Sequence, residues 1–312
     1  MNGFLLARYE ATKDRAYLDH VCLTLDRMRE GPIHDREEGG YYRTCSGVDW
    51  SAPHREKLLA DQAGTLNNCL AVYEYTKNLN YARMAEGIIA YLNHRLSDPS
   101  RETFSGCEDF IRCKDRDPSS REEYFSIVDD CVYTDANAEA IGAYLKAHSV
   151  LGNAACKARA LKALEFIWEK CRSPEGGVFH YYEDTPHVQG LLNDQARAGT
   201  ALVQAWRATG EAEYLERARN LAEFILTKLR NPNGGYFDRS VEGPATLRYP
   251  LTLIEQNAAA ALFFFALAEF TGDSRTREAG AWALGAFTGD FSRYGIHAAE
   301  FGQALAEFAK RP

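Results

Sequence analysis

Asp194-Gln195-Ala196, followed fourteen residues after the alanine by Gly210, is one of four copies of a single pattern. The others are Asp61-Gln62-Ala63, Ala136-Asn137-Ala138 and Gln256-Asn257-Ala258; Gly152 and Gly272 stand at the same distance in two of them, and Lys77 in the remaining one. Past each alanine the apolar residues recur at helical spacing, as in Leu66, Leu70 and Tyr73, and a second such run begins at Tyr81, Met84 and Ile88. The repeated unit is therefore a helical hairpin. Its first helix is rich in alanine and large apolar residues on every side, as in Asn257 to Leu267, which predicts an enclosed inner helix. Its second helix carries a polar stripe, with Glu213, Glu216, Arg217, Arg219 and Glu223 set against an apolar face, which predicts an outer one.

Gly-rich aromatic turns connect each outer helix to the next inner helix. Glu38-Gly39-Gly40-Tyr41-Tyr42, Glu175-Gly176-Gly177-Val178-Phe179 and Asn233-Gly234-Gly235-Tyr236-Phe237 are copies, with Ser100 to Gly106 and Ser292 to Gly295 in the corresponding places. Paired glycines allow the left-handed turn after a helix, and the following aromatics suit a short extended segment. The first glycine follows the repeat alanine by 38 residues in both complete units, Ala138 to Gly176 and Ala196 to Gly234. The same interval counted back from Gly39 expects the chain to open inside its first inner helix. Inner helices are then predicted at residues 2 to 12, 54 to 77, 136 to 151, 190 to 209, 250 to 271 and 296 to 309. Six inner and five outer helices define an all-α (α/α)6 toroid of the six-hairpin kind, in one domain over residues 1 to 312 and lacking one outer helix. An open helical solenoid is the competitor, but its two-helix repeats are generally shorter than these units. The wider interval between Ala63 and Ala138 marks an insertion at Cys107 to Tyr124, read as a solvated loop or a lid.

Composition narrows the function. The chain has 312 residues, 46% of them apolar, and a formal charge of -8 without a basic run, so nucleic acid is not an expected partner. No stretch approaches a membrane span, and the start lacks a signal core, which predicts a soluble, cytoplasmic protein. Eight cysteines without a Cys-x-x-Cys pair fit neither a zinc site nor a disulfide framework. No P-loop, Rossmann, Gly-x-Ser-x-Gly or His-Glu-x-x-His pattern occurs, so neither a cofactor nor a metal is expected.

The run Gly40-Tyr-Tyr-Arg43, Val48-Asp-Trp50, Pro53-His-Arg-Glu-Lys57 and Asp61-Gln-Ala63 resembles the signature of the YyaL family, related to a spermatogenesis-associated thioredoxin-domain protein. Segments Asn193 to Asp238 and Gln256 to Asp273 are similar to the later hairpins of that family. Arg55 stands where the family has an aromatic, Ala60 where it has Tyr, and the middle is shorter. The resemblance implies a barrel like those of N-acylglucosamine 2-epimerases and six-hairpin glycosidases. In that family it follows a thioredoxin-like domain; this chain carries only the barrel, so a thioredoxin-like domain would be a partner. No reaction comes with the resemblance.

Chemistry is sought where the loops before the inner helices gather, at the positive ends of those helices. The loops bring Tyr41, Tyr42, Trp50, Phe104, Tyr181, Tyr182, Tyr236, Phe237 and Tyr249 toward this mouth, and aromatic faces among carboxylates suit sugar rings, although the same rings could simply seal the barrel. Pro53 fits the first turn of a helix, which would place His54, Lys57 and Asp61 on one face. Asp61 and Asp194 hold equivalent repeat positions and would form an acid and base pair with His54. Lys57 and Asp61 also suit a buried ion-pair network. Arg43, Glu56, His187 and Glu255 complete the candidate substrate-binding set. The amides Gln62 and Gln195, with Asn137 and Asn257, either orient ligand hydroxyls or tie neighbouring helices. Two readings stand: a carbohydrate-active enzyme, glycoside hydrolase or sugar epimerase, with an aromatic-lined axial pocket; or a non-catalytic toroid that binds a ligand or a partner domain.

Overall fold

The computed structural model describes residues 1–113, 123–241 and 248–310. Six inner helices, α1 (Asn2–Thr12), α3 (Leu59–Thr76), α5 (Thr134–Leu151), α7 (Leu192–Thr209), α9 (Ile254–Thr271) and α11 (Ala299–Ala309), pack each on the next, and α11 returns to α1. Five outer helices surround them: α2 (Arg15–Glu30), α4 (Leu79–His94), α6 (Ala154–Lys170), α8 (Ala212–Lys228) and α10 (Ser274–Gly285). The ring is the (α/α)6 toroid that the repeat predicts, with eleven α-helices among the described residues.

Each hairpin turns on two residues. Gly152, Gly210 and Gly272 end α5, α7 and α9 in the left-handed conformation, with φ of 70°, 79° and 66°. Lys13 and Lys77 take that role after α1 and α3 at φ 58° and 55°, which costs about 1–2 kcal/mol for a residue with a Cβ. The next residue is Asp14, Asn78, Asn153 or Asp273 in four of the five hairpins, and its side chain caps the outer helix. The outer helices then bury one stripe against the ring, such as Leu18, Val21 and Leu25, each 0% exposed and contributing about 1.5–3 kcal/mol. Inner helices approach closely through small residues: the Phe263 ring fills the space a Cβ would need at Gly199.

The repeated amides lock the turns to the ring. Gln62 Oε1 accepts from the Tyr41 N–H (2.9 Å) while its Nε2 donates to the Tyr41 carbonyl (2.6 Å). Asn137 does the same with Phe104, Gln195 with Val178 and Asn257 with Tyr236, at 2.7 to 3.0 Å. These amides tie loop to helix, not helix to helix.

The connecting segments hold short antiparallel strands: β1 (Thr44–Cys45) with β2 (Pro53–His54), and β4 (Ser97–Asp98) with β5 (Thr103–Phe104). β3 (Glu56–Leu58) pairs with β6 (Cys107–Cys113), which pairs with β7 (Glu123–Asp129). β9 (Phe179–Tyr182) lies between β8 (Val132–Tyr133) and β10 (Pro186–Gln189). Two expectations are corrected here. The insertion is a strand pair joined to β3 instead of a loop, its residues 114–122 lying outside the described ones. The second inner helix starts at Leu59, not at residue 54, because Glu56–Leu58 is drawn into that sheet. The last two inner helices likewise begin at Ile254 and Ala299.

Candidate functional site

The lost first turn of the second inner helix dissolves the predicted His54, Lys57 and Asp61 face. His54 lies on β2, its side chain 65% exposed and 3.8 Å from Glu56. Lys57 is fully buried: its Nζ donates to Asp35 (2.8 Å), the Gly39 carbonyl (2.9 Å) and Glu108 (3.4 Å), inside the rings of Tyr42, Tyr91 and Phe110. Glu108 is also bound by Arg95, Tyr91 and Ser126. Burial alone would raise the Asp35 and Glu108 carboxyls, yet these partners hold both below the ordinary carboxylate range. Lys57 is thus an ion-pair network residue, and Tyr42, whose hydroxyl donates to Asp35 (2.9 Å), belongs to the same network.

Other mouth candidates are also committed elsewhere. Tyr41 and Tyr236 are 4% and 0% exposed, clamped in the ring wall, so neither offers a face to a ligand. Both polar atoms of Gln62 and of Gln195 are used on loop backbone. Trp50 packs over Gly31, at the end of outer helix α2. Arg43 donates to Glu56 (2.8 Å), and both stand near Asp61. His187 stacks on Tyr181 at 4.9 Å, with its Nε2 3.1 Å from the Thr185 hydroxyl.

Asp194, at the start of α7, is 0% exposed and 3.0 Å from His180 Nδ1 on β9. Its other oxygen has no hydrogen-bond partner among the described residues. Burial pushes the Asp194 carboxyl up to about 7, against the pull of His180; the His180 imidazole is raised by its hydrogen bond to Asp194. His180 itself is partly open and flanked by the Tyr133 and Tyr181 rings. Asp135, His180 and Asp194 bring possible ligand atoms within 4.8 Å of one another, as do Asp129, Asp130 and Cys131. Asp135 and Asp194 occupy first helical turns, where the backbone dipole favours an anion and opposes a cation.

A second imidazole is also held by a carboxylate. His297, in the 3-10 segment Phe291–Ala298, places Nδ1 2.6 Å from Glu255 at the start of α9. Both line a mouth cavity of about 420 Å³ together with Asn193, the neighbour of Asp194. Arg197 and Glu300 line it too and form its floor: the Arg197 guanidinium grips Glu300 in two bonds (2.6 and 2.9 Å) and approaches Glu139 to 3.1 Å. Beyond them a cavity of about 1020 Å³ runs down the axis between all six inner helices. Asp61 and Asp194 do not line it, and Phe4 is its one aromatic among the described residues, so the expectation of an aromatic-lined axial pocket faced by those two carboxylates is corrected. Asp61 and Glu139 lie where water reaches them but the walls crowd them, and desolvation raises both carboxyls.

His180, His297, Glu139, Arg197 and Glu300 were not among the sequence candidates. For His180 a signal existed: it follows the clamped Val178 by two residues, as Arg43 follows Tyr41 and Asp238 follows Tyr236.

A ring of helical hairpins enclosing an axial polar cavity is the fold that sugar epimerases and six-hairpin glycosidases share. The cellobiose 2-epimerase of Bacillus thermoamylovorans superposes with a TM-score of 0.77 at 13% identity, covering 100% of this chain and 86% of the other. A family 76 glycoside hydrolase from Bacteroides thetaiotaomicron gives 0.71 at 12% identity, over 94% and 64%. At such identities the likeness is one of fold. In sequence, the chain is 25% identical over 278 residues to the uncharacterized protein B0495.5 of Caenorhabditis elegans, covering 74% of this chain and 37% of that protein. It is 31% identical over 98 residues to mouse spermatogenesis-associated protein 20, covering 31% and 12%. The likeness to the spermatogenesis-associated protein expected from the motifs is thus present, and the matches span little more than a third of these relatives at most. No protein-family model matches the chain. Among the described residues, no helix is long and apolar enough to cross a membrane.

Proposed function

We propose that this toroid is a sugar-handling enzyme of the epimerase or isomerase kind, which moves a proton at the carbon beside a sugar carbonyl. The supporting observation is the His180–Asp194 pair: Asp194 is wholly buried and cannot touch a ligand, so it acts through the imidazole. Held at Nδ1, His180 presents Nε2 as the exchanging atom, and Asp194 supports the charge that appears when it takes a proton. His297, held by Glu255, is the second imidazole, giving a base for one face of the carbon and an acid for the other. His54 has no part in this reading. Arg43, Glu56 and His187 remain candidates for contacting the substrate around the rim. The sugar class is taken from the structural relatives, whose names include sugar epimerases and glycoside hydrolases.

A hydrolase is the second reading, supported by Asp61 and Glu139, two carboxyls held above their ordinary range near the mouth. One experiment separates the two. Mono- and disaccharides are incubated with the protein in deuterium oxide and followed by NMR. Epimerisation or isomerisation places deuterium beside the carbonyl and falls about 10²–10⁴-fold in His180→Ala. Glycoside cleavage without that label, lost in Asp61→Asn, would support the hydrolase; no turnover of any sugar would leave neither standing.

A further inference from the structure

The axial cavity has charges at its two ends and none in its middle. At the mouth end, Arg197 is engaged by Glu139 and Glu300. At the other end, Lys310 pairs with Glu307 (2.7 Å) and Glu10 (3.7 Å), and the Arg207 guanidinium lies 5.4 Å over the Phe270 ring. The belt between holds Asn67 and Asn68 of α3, Gln204 of α7 and Gln303 of α11. These four side-chain amides make no hydrogen bond to any described residue, in contrast to Gln62, Asn137, Gln195 and Asn257, whose amide oxygen and nitrogen both bond loop backbone. The belt is also kept wide. A Cβ built on Gly64 meets no atom within 4 Å, although α3 is a helix in which glycine costs about 1 kcal/mol relative to alanine.

A primary amide offers donors and an acceptor side by side without charge, which matches hydroxyl groups that both give and accept. An anion here would meet five lining carboxylates, those of Glu10, Glu139, Glu269, Glu300 and Glu307, against three basic side chains, those of Arg197, Arg207 and Lys310. We infer that the belt is a binding site for a neutral polyhydroxylated unit, a sugar or alditol, separate from the imidazoles at the mouth. The cavity that holds it extends along the ring from Asn2 to Lys310. The inference does not depend on the proton-transfer reading.

The test is calorimetric titration with cellobiose and mannitol, with galacturonate and glucosamine as charged comparators. The neutral probes are expected to bind the wild-type chain, Gly64→Ala and His180→Ala alike. Gly64→Phe, which projects a ring into open space, is expected to weaken binding about tenfold or more, with thermal unfolding no lower than wild type. Should that variant fail to fold, Asn67→Ala and Gln204→Ala carry the same expectation, because neither amide holds the protein together. Absence of binding by either neutral probe, equal binding of a charged comparator, or binding indifferent to all of these cavity variants would each overturn the inference; so would loss of binding in His180→Ala, which would move the site to the mouth.

Discussion

Two buried charge clusters flank the mouth, and they are built differently. Around Lys57 every charge has several partners: two carboxylates, a backbone carbonyl, a guanidinium and hydroxyls close the group on itself. Around Asp194 the set is left open, with one carboxylate oxygen unpartnered and an imidazole leading toward water. A closed network fixes its carboxyls below their ordinary range and serves the fold. An open one pushes its carboxyl up toward neutrality, the condition for exchanging a proton.

The sharpest way to test that contrast is Glu108→Ala, which strands Lys57 and Arg95. A loss of about 3–5 kcal/mol in urea unfolding is expected. Asn257→Ala should follow, leaving the buried Tyr236 N–H and carbonyl unpaired at about 1–3 kcal/mol for each group. Asp194→Asn should cost less and change the pH dependence. The folded chain keeps the Asp194 proton up to about 7 whereas the unfolded chain loses it above 3.8, so wild-type stability falls as pH rises through that window. His180, raised above 6.5, adds a share that is present at lower pH and likewise disappears as pH rises through its folded value. The variant should flatten the lower part of this slope; an unchanged profile from pH 4 to 7 would remove Asp194 from the argument. Smallest is Gly64→Ala, expected to raise stability by no more than about 1 kcal/mol.

The ring was legible in the sequence because its signals are local and repeated: an amide, an alanine, a left-handed residue fourteen positions on, and a cap. The site was only partly legible. Pro53-His54 reads as a helix start until β6, some fifty residues later, draws Glu56–Leu58 into a sheet, and no local pattern announces such a pairing. The choice between ligand binder and network for Lys57 depended on Asp35 and Glu108, both distant in the chain. His180 was accessible through the repeat, at the position of Arg43 and Asp238. His297 falls where the repeat predicts the first turn of the last inner helix, and the chain runs there as a 3-10 segment instead.

The amide clamps have a consequence for how this protein can vary. Clamped residue and amide are 17 positions apart in one unit, 21 in two and 33 in the one that carries β6 and β7. A junction that closes equally well over all these spans makes each mouth loop an exchangeable cassette, anchored at its entry and at the helix it feeds. Segments can be lengthened, shortened or grafted between those two anchors while the ring beneath stays in register, so the rim is where one toroid scaffold is free to acquire a different substrate.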